Sequence, residues 1–120
     1  SYDLRLPAFD RGAVAAALQL AVLAARAAGI AVFDGVYNRL DDPAGLEVQA
    51  REGRALGFDG KSLIHPNQIA VTRAAFAPTA AEIARAERLV AAATGGAERF
   101  EGAMIEEMHV AAARRLLARR

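Results

Sequence analysis

The sequence predicts a parallel α/β fold, and three observations carry that prediction. Helical periodicity alternates with short, continuous apolar runs through the first half of the chain. An internal echo marks two of the junctions: Arg26-Ala27-Ala28-Gly29-Ile30 and Arg54-Ala55-Leu56-Gly57-Phe58 each end a helix and lead into a strand. Strands joined through a crossover helix run parallel, with a right-handed connection. Two parallel strands cannot cover their own faces, so these runs need more strands beside them than 120 residues supply. The chain is therefore either part of a larger parallel barrel or completes its sheet with another polypeptide.

The elements follow in order. Val14, Leu18, Val22 and Ala25 recur at helical spacing, Asp10 is placed to cap their helix and Gly29 to end it, which predicts a helix over 11–28. Ile30-Ala31-Val32-Phe33 reads as a strand buried on both faces, with Asp34-Gly35 opening a loop. Asp42-Pro43 supplies an N-cap and a proline at the first helical position, for a helix running to Leu56 and closed by Gly57. Lys61-Ser62-Leu63-Ile64 reads as a second strand, broken by His65-Pro66 ahead of a further helix. Thr79-Ala80-Ala81-Glu82 is a capping box for a helix carried by Ile83, Ala86, Leu89 and Val90 and stopped by Gly95-Gly96. A last helix is expected from about Met104 to Arg119.

Composition narrows the function classes. With 54% hydrophobic and 24% charged residues the chain is of ordinary globular make-up. Fifteen basic residues against fourteen acidic leave a formal charge of +1, so no global field argues for nucleic acid or an anionic membrane as partner. Arg114, Arg115, Arg119 and Arg120 form a basic cluster at a helix end, where cations complement the dipole. The absence of cysteine excludes disulfides, thiolate metal sites and a cysteine nucleophile. The alanine-rich stretch 13–28 is interrupted by Gln19 and Arg26 and is too short for a membrane span. The opening residues, with Asp3, Arg5 and Asp10, do not read as a signal peptide, and a cytoplasmic location is expected.

Two segments resemble the last two barrel strands of the citrate lyase beta-subunit and malyl-CoA lyase family: Phe33-Asp34-Gly35-Val36-Tyr37, and the longer stretch from Ala55 to Gln68 that includes Gly57-Phe58-Asp59-Gly60-Lys61-Ser62-Leu63-Ile64-His65-Pro66. Phe76-Ala77-Pro78-Thr79 with Glu82 and Ile83 resembles the family's next helix start, and Gly102-Ala103-Met104-Ile105-Glu106 its C-terminal lid motif. The resemblance covers about residues 18–118. It implies the C-terminal part of a (β/α)₈ TIM barrel, with its last two parallel strands and helices over 1–96, followed by a helical lid and oligomerisation segment over 97–120. Such barrels typically have about 250 residues. The family's Mg²⁺ ligands lie on strands five and six, so the resemblance implies Mg²⁺ as cofactor with its ligands in an upstream part, and none in this chain.

What remains is the wall that faces the acyl-CoA and the lid. The resemblance places Asp34, Gly35 and Val36 near the substrate thioester, at the C-terminal strand ends where barrel active sites lie; read without it, Asp34 caps the turn and Gly35 supplies its dihedral angle. His65 and Pro66 are expected in the CoA wall, against the plainer reading of a hydrogen-bonded histidine at a strand end. Asn67-Gln68-Ile69 has no glycine-rich loop and is a weak phosphate signal. Glu106 is the expected catalytic acid/base, standing where the family has an aspartate that reaches a neighbouring subunit's active site; the alternative is an acidic residue complementing a helix dipole. Arg39 departs from an acidic residue common in the family, and His109 receives no role. Neither Asp41-Asp42 nor Glu106-Glu107 makes a convincing paired-carboxylate metal site, because Asp42 is explained as a cap and adjacent helical residues diverge.

The reaction implied, once the upstream half is supplied, is reversible Claisen-type cleavage of a 3-hydroxyacyl-CoA such as malyl-CoA or citramalyl-CoA into acetyl-CoA and a 2-oxo acid. Mg²⁺ would act as Lewis acid and template while a base removes the hydroxyl proton. A lid shared between subunits implies a homo-oligomer. Three alternatives stand beside it: a malyl-CoA thioesterase, a citryl thioester lyase subunit acting on a carrier protein, and a non-catalytic assembly module.

Overall fold

The computed structural model describes Arg5 and residues 10–119. Helices dominate: α1 (Ala15–Ala28), α2 (Pro43–Leu56), α3 (Ile69–Phe76), α4 (Ala80–Thr94) and α5 (Glu107–Leu117) are joined by four two-residue strands, β1 (Phe33–Asp34), β2 (Gly60–Lys61), β3 (Arg99–Phe100) and β4 (Ala103–Met104). The chain folds as two compact units, one ending at Phe76 and the other beginning at Ala77.

The first unit is two βα repeats. Gly29 and Gly57 end α1 and α2 at φ 66° and 99°, left-handed values that a side chain would resist, and both C-caps return their N–H groups to the preceding turn. The echo in the sequence is thus one capping device used twice. Asp42 caps α2 through its side chain, which accepts from Gly45 N–H at 2.9 Å, with Pro43 at the first position as expected. Asp10 accepts from Gly12 N–H at 2.9 Å, but it opens a 3₁₀ turn over Gly12–Val14, and α1 begins only at Ala15.

β1 and β2 pair in parallel, Phe33 opposite Gly60 and Asp34 opposite Lys61. The ladder is flanked by Asp59 N–H to Val32 C=O and Ser62 N–H to Asp34 C=O, both 2.9 Å. Both strands are shorter than the sequence suggests. Ile30 and Phe33 are 61% and 63% exposed, so the expected strand buried on both faces is not formed here: a two-stranded ladder offers those side chains no neighbour. Ile64, expected in the second strand, gives its N–H to the side chain of Gln68 at 3.1 Å instead of to a ladder. Val22, Ala25, Leu46, Ala50, Phe58 and Ala75 are the principal buried apolar side chains, and α2 packs chiefly on α3.

In the second unit α4 opens with the predicted capping box, Thr79 Oγ1 accepting from Glu82 N–H (3.2 Å) and Glu82 Oε2 from Thr79 N–H (2.7 Å). It packs on α5 around Ala86, Leu89 and Ala113, with Val90, Phe100, Ile105, Leu116 and Leu117 against them. The expected helix from Met104 starts later, at Glu107, because Ala103-Met104 pairs antiparallel with Arg99-Phe100. The hairpin turns at Glu101 and Gly102, both at positive φ (49° and 83°). Arg120 of the basic cluster and Asp3 of the N-terminal segment lie outside the described residues. Among the described residues no helix is long and apolar enough to cross a membrane.

Candidate functional site

The C-terminal ends of the two parallel strands carry opposite charges at the same level. Asp34 ends β1 and Lys61 ends β2, and their side chains are 1% and 0% exposed. Neither charge tolerates such burial without partners. Arg11, just ahead of α1, clamps Asp34 with Nη1 at 3.2 Å from Oδ1 and Nη2 at 2.9 Å from Oδ2, and also pairs with Glu52 on α2 at 3.1 Å. Lys61 Nζ donates to Asp34 Oδ2 at 3.2 Å, to Gly35 C=O at 2.6 Å and to Oε1 of the buried Gln49. Burial lowers the Lys61 pKa, opposed by the charge and hydrogen bond of Asp34. Gly53 makes this arrangement possible: a Cβ there would lie 2.6 Å from Asp34 Oδ2.

The loops leaving the strands are tied together. Gln68, 2% exposed, accepts from Ile64 N–H and donates Nε2 to Tyr37 C=O at 2.8 Å, while Asn67 Nδ2 donates to Leu40 C=O at 3.3 Å. Tyr37 donates its hydroxyl to Asp42 Oδ2 at 2.7 Å; this bond, the Gly45 N–H and nearby Arg39 hold the Asp42 carboxyl below its ordinary pKa. Asp34, Gly35 and Val36 are therefore fastened, through Tyr37 and Gln68, to the loop that holds His65 and Pro66.

Each residue expected in the site has a definite place. Asp34 is the centre of the buried network, where it meets protein cations and does not line open space. Gly35 and Val36 are exposed at the strand end. The expectation that Gly35 supplies a special dihedral angle fails, because its φ is not positive. Nor does packing require it: a Cβ at Gly35 would meet nothing within 4 Å among the described residues. His65 and Pro66 are exposed, and His65 caps the 3₁₀ turn Pro66–Gln68 by accepting from Asn67 N–H on Nδ1 at 3.1 Å, which leaves its proton on Nε2 when neutral. Glu106 belongs to the second unit and is the N-cap of α5, not a residue of its first turn; that place goes to Glu107. Its N–H donates to His109 Nδ1 at 3.2 Å, so His109, which the sequence left without a role, reaches back to fix the start of α5.

Arg11, Gln49, Lys61 and Gln68 were not singled out from the sequence. One signal was available for Lys61: a lysine at the edge of an apolar strand segment needs a buried counter-charge, and the equivalent position of the other strand is Asp34. Among the described residues no group of three or more His, Asp or Glu side chains could hold a metal ion. Asp34 is engaged by Arg11, Lys61 and its neighbour's N–H, and Asp42 by Tyr37 and Gly45, so the carboxylates at these strand ends do not fit the Mg²⁺ site implied for the family.

Residues 3–66, more than half of the chain, match the HpcH/HpaI aldolase/citrate lyase family. The chain belongs to that family. Among similar family members is the (3S)-malyl-CoA thioesterase of Cereibacter sphaeroides, 43% identical over 116 residues, covering 92% of this chain and 41% of the thioesterase. The mitochondrial citramalyl-CoA lyase of Homo sapiens is 46% identical over 96 residues, covering 75% of this chain and 28% of that protein. The crystal structure of CitE from Mycobacterium tuberculosis in complex with magnesium, acetoacetate and coenzyme A superposes with a TM-score of 0.70 at 37% identity, over 81% of this chain and 37% of CitE. The chain thus spans about two fifths of the length of the thioesterase relatives it matches. The family's α/β fold with dominant helices agrees with the elements described above.

Proposed function

We propose that this chain forms the thioester-facing wall and the lid of a carbon–carbon lyase. Its reaction is reversible cleavage of a 3-hydroxyacyl-CoA, such as malyl-CoA or citramalyl-CoA, into acetyl-CoA and a 2-oxo acid. The observation that carries the reading is Gly35. Neither backbone torsion nor packing among the described residues asks for glycine there, which leaves close approach of a ligand to the backbone as its use. Family membership and the coenzyme A held by CitE supply the ligand class.

In this reading residues 1–96 complete the end of a (β/α)₈ barrel and 97–120 act as its lid, in a cytoplasmic homo-oligomer whose lid serves a neighbouring subunit. Cleavage begins with loss of the substrate hydroxyl proton. The carbon–carbon bond then breaks, the electron pair collects on the thioester as an enolate, and a proton returns to carbon to give acetyl-CoA. Asp34 and Lys61 hold the wall rigid, Gly35 and Val36 border the thioester, His65 and Pro66 line the path of the CoA arm, and Glu106 is the acid/base on the lid. Mg²⁺, in this reading, would be held by carboxylates of the upstream part.

A second reading, thioester hydrolysis of malyl-CoA, is favoured by the thioesterase relatives, whose likeness extends over 92% of this chain. Product analysis separates the two: the full-length enzyme, given malyl-CoA or citramalyl-CoA and Mg²⁺, releases acetyl-CoA and a 2-oxo acid as a lyase, but free CoA and the hydroxy diacid as a thioesterase. Glu106→Gln is expected to lower kcat by about a hundredfold or more with KM little changed. Full activity in that variant would remove Glu106 from the chemistry.

A further inference from the structure

Asp34 and Lys61 divide the backbone of Gly35 between them. Asp34 Oδ1 accepts the Gly35 N–H at 2.9 Å, and Lys61 Nζ takes the Gly35 C=O at 2.6 Å. Both polar groups of Gly35 are therefore spent inside the protein, and the glycine that lets a ligand approach cannot itself donate to it. The carbonyl gripped by Lys61 belongs to the same peptide unit as the N–H of Val36. That unit is trans, since the described chain has no cis peptide, and in a planar trans peptide the N–H points opposite to the C=O. With its oxygen drawn into the buried network, the unit must turn its N–H away from it. Val36 is 42% exposed, and among the described residues its N–H has no acceptor and a Cβ at Gly35 would meet nothing within 4 Å.

We propose that Lys61 is a positioning residue that aims the Val36 backbone N–H at the thioester oxygen of a bound acyl-CoA. This rests on the acyl-CoA reading above and deepens it. A buried ammonium on the carbonyl end polarises the peptide and strengthens its N–H as a donor. Gln49 and Asp34 fix the ammonium, and Arg11 balances Asp34, so the donor is held before the ligand arrives. Such preorganisation is what stabilises an oxygen that gains charge as the carbon–carbon bond breaks or as water attacks the thioester. The device serves a lyase and a thioesterase alike.

The test uses the full-length enzyme and two probes that differ at one group: acetyl-CoA, a thioester, and S-ethyl-CoA, a thioether without the carbonyl oxygen. Val36→Pro deletes the N–H at a position whose φ is not positive and whose preceding residue is glycine. By calorimetry, V36P is expected to bind acetyl-CoA about five- to tenfold more weakly and S-ethyl-CoA as wild type does. Lys61→Arg, which keeps a cation in the network, is expected to show the same selective loss to a smaller degree. If V36P does not fold, Lys61→Arg reads the same selectivity with a cation retained in the network. Equal losses for both probes, or none, would overturn the aiming of Val36 while leaving the acyl-CoA reading intact. Failure of wild type to bind either probe would overturn the acyl-CoA reading and this proposal with it.

Discussion

The two units solve opposite problems. The unit ending at Phe76 places charge at its centre: Asp34 and Lys61 are buried, Gln49 bonds Lys61, and Gln68 is buried as well. The unit beginning at Ala77 has an apolar centre of Ala86, Leu89 and Ala113 and keeps its ion pairs outside, where Arg85 and Arg88 grip Glu101 at 2.8 and 3.0 Å. An apolar core stabilises without fixing where any one polar atom sits. A buried charge network is costly to assemble but permits few alternative geometries. The contrast places positional accuracy at the strand ends and leaves the second unit to ordinary packing.

The comparison is broken most directly at Lys61. Lys61→Met strands Asp34 with one cation fewer, and a loss of about 3–5 kcal/mol in urea unfolding is expected. A loss below about 1 kcal/mol would show that the network contributes little to holding the first unit. The same variant carries a pH signature. Because burial lowers the folded pKa of Lys61, the unfolded chain binds more protons just below the ordinary lysine range, so stability should rise with pH there in wild type and be flatter in the variant. Leu89→Ala tests the other side. It should cost about 2–4 kcal/mol through its cavity, and hydrogen exchange should quicken in α4 and α5 while the strand ends keep their protection.

Gly53→Ala comes next, at about 1–3 kcal/mol, since the new methyl must displace Asp34 or the helix. Acyl-CoA affinity should fall with it if Asp34 sets the geometry of the wall. Thr79→Ala removes one half of a capping box and should cost about 1 kcal/mol, read as a shift in melting temperature. The smallest effect is electrostatic. Tyr37 is the main cause of the lowered Asp42 pKa, so Tyr37→Phe should move that carboxyl toward its ordinary value in an NMR titration. Asp42's contribution to stability is present above the unfolded-state pKa and lost as pH falls through the folded one; in the variant that contribution should be smaller and its loss complete at a higher pH.

Local signals in the sequence were read well because they are satisfied within a turn. Asp42-Pro43, Gly57 and Thr79 with Glu82 bound their helices where expected, each device being complete within a few residues. Strand lengths were overestimated, because an apolar run joins a ladder only where a partner strand stands beside it. The hairpin at 99–104 was missed: its turn puts Glu101, an unlikely residue for positive φ, next to Gly102. The Arg11 clamp on Asp34 spans 23 residues and the Lys61 bond to it 27, and no local pattern encodes pairings of that length. Asp34 was legible as the residue that ends the first strand, but its burial and its partners were not.

Gln68 has a consequence for anyone who would redesign this protein. Because one amide side chain joins Tyr37 C=O to Ile64 N–H, the two loops have interdependent lengths. An insertion in either would break the joint, and a segment transplanted from a relative would have to bring its counterpart along. The loops therefore have to be varied as a pair, with Gln68 kept between them.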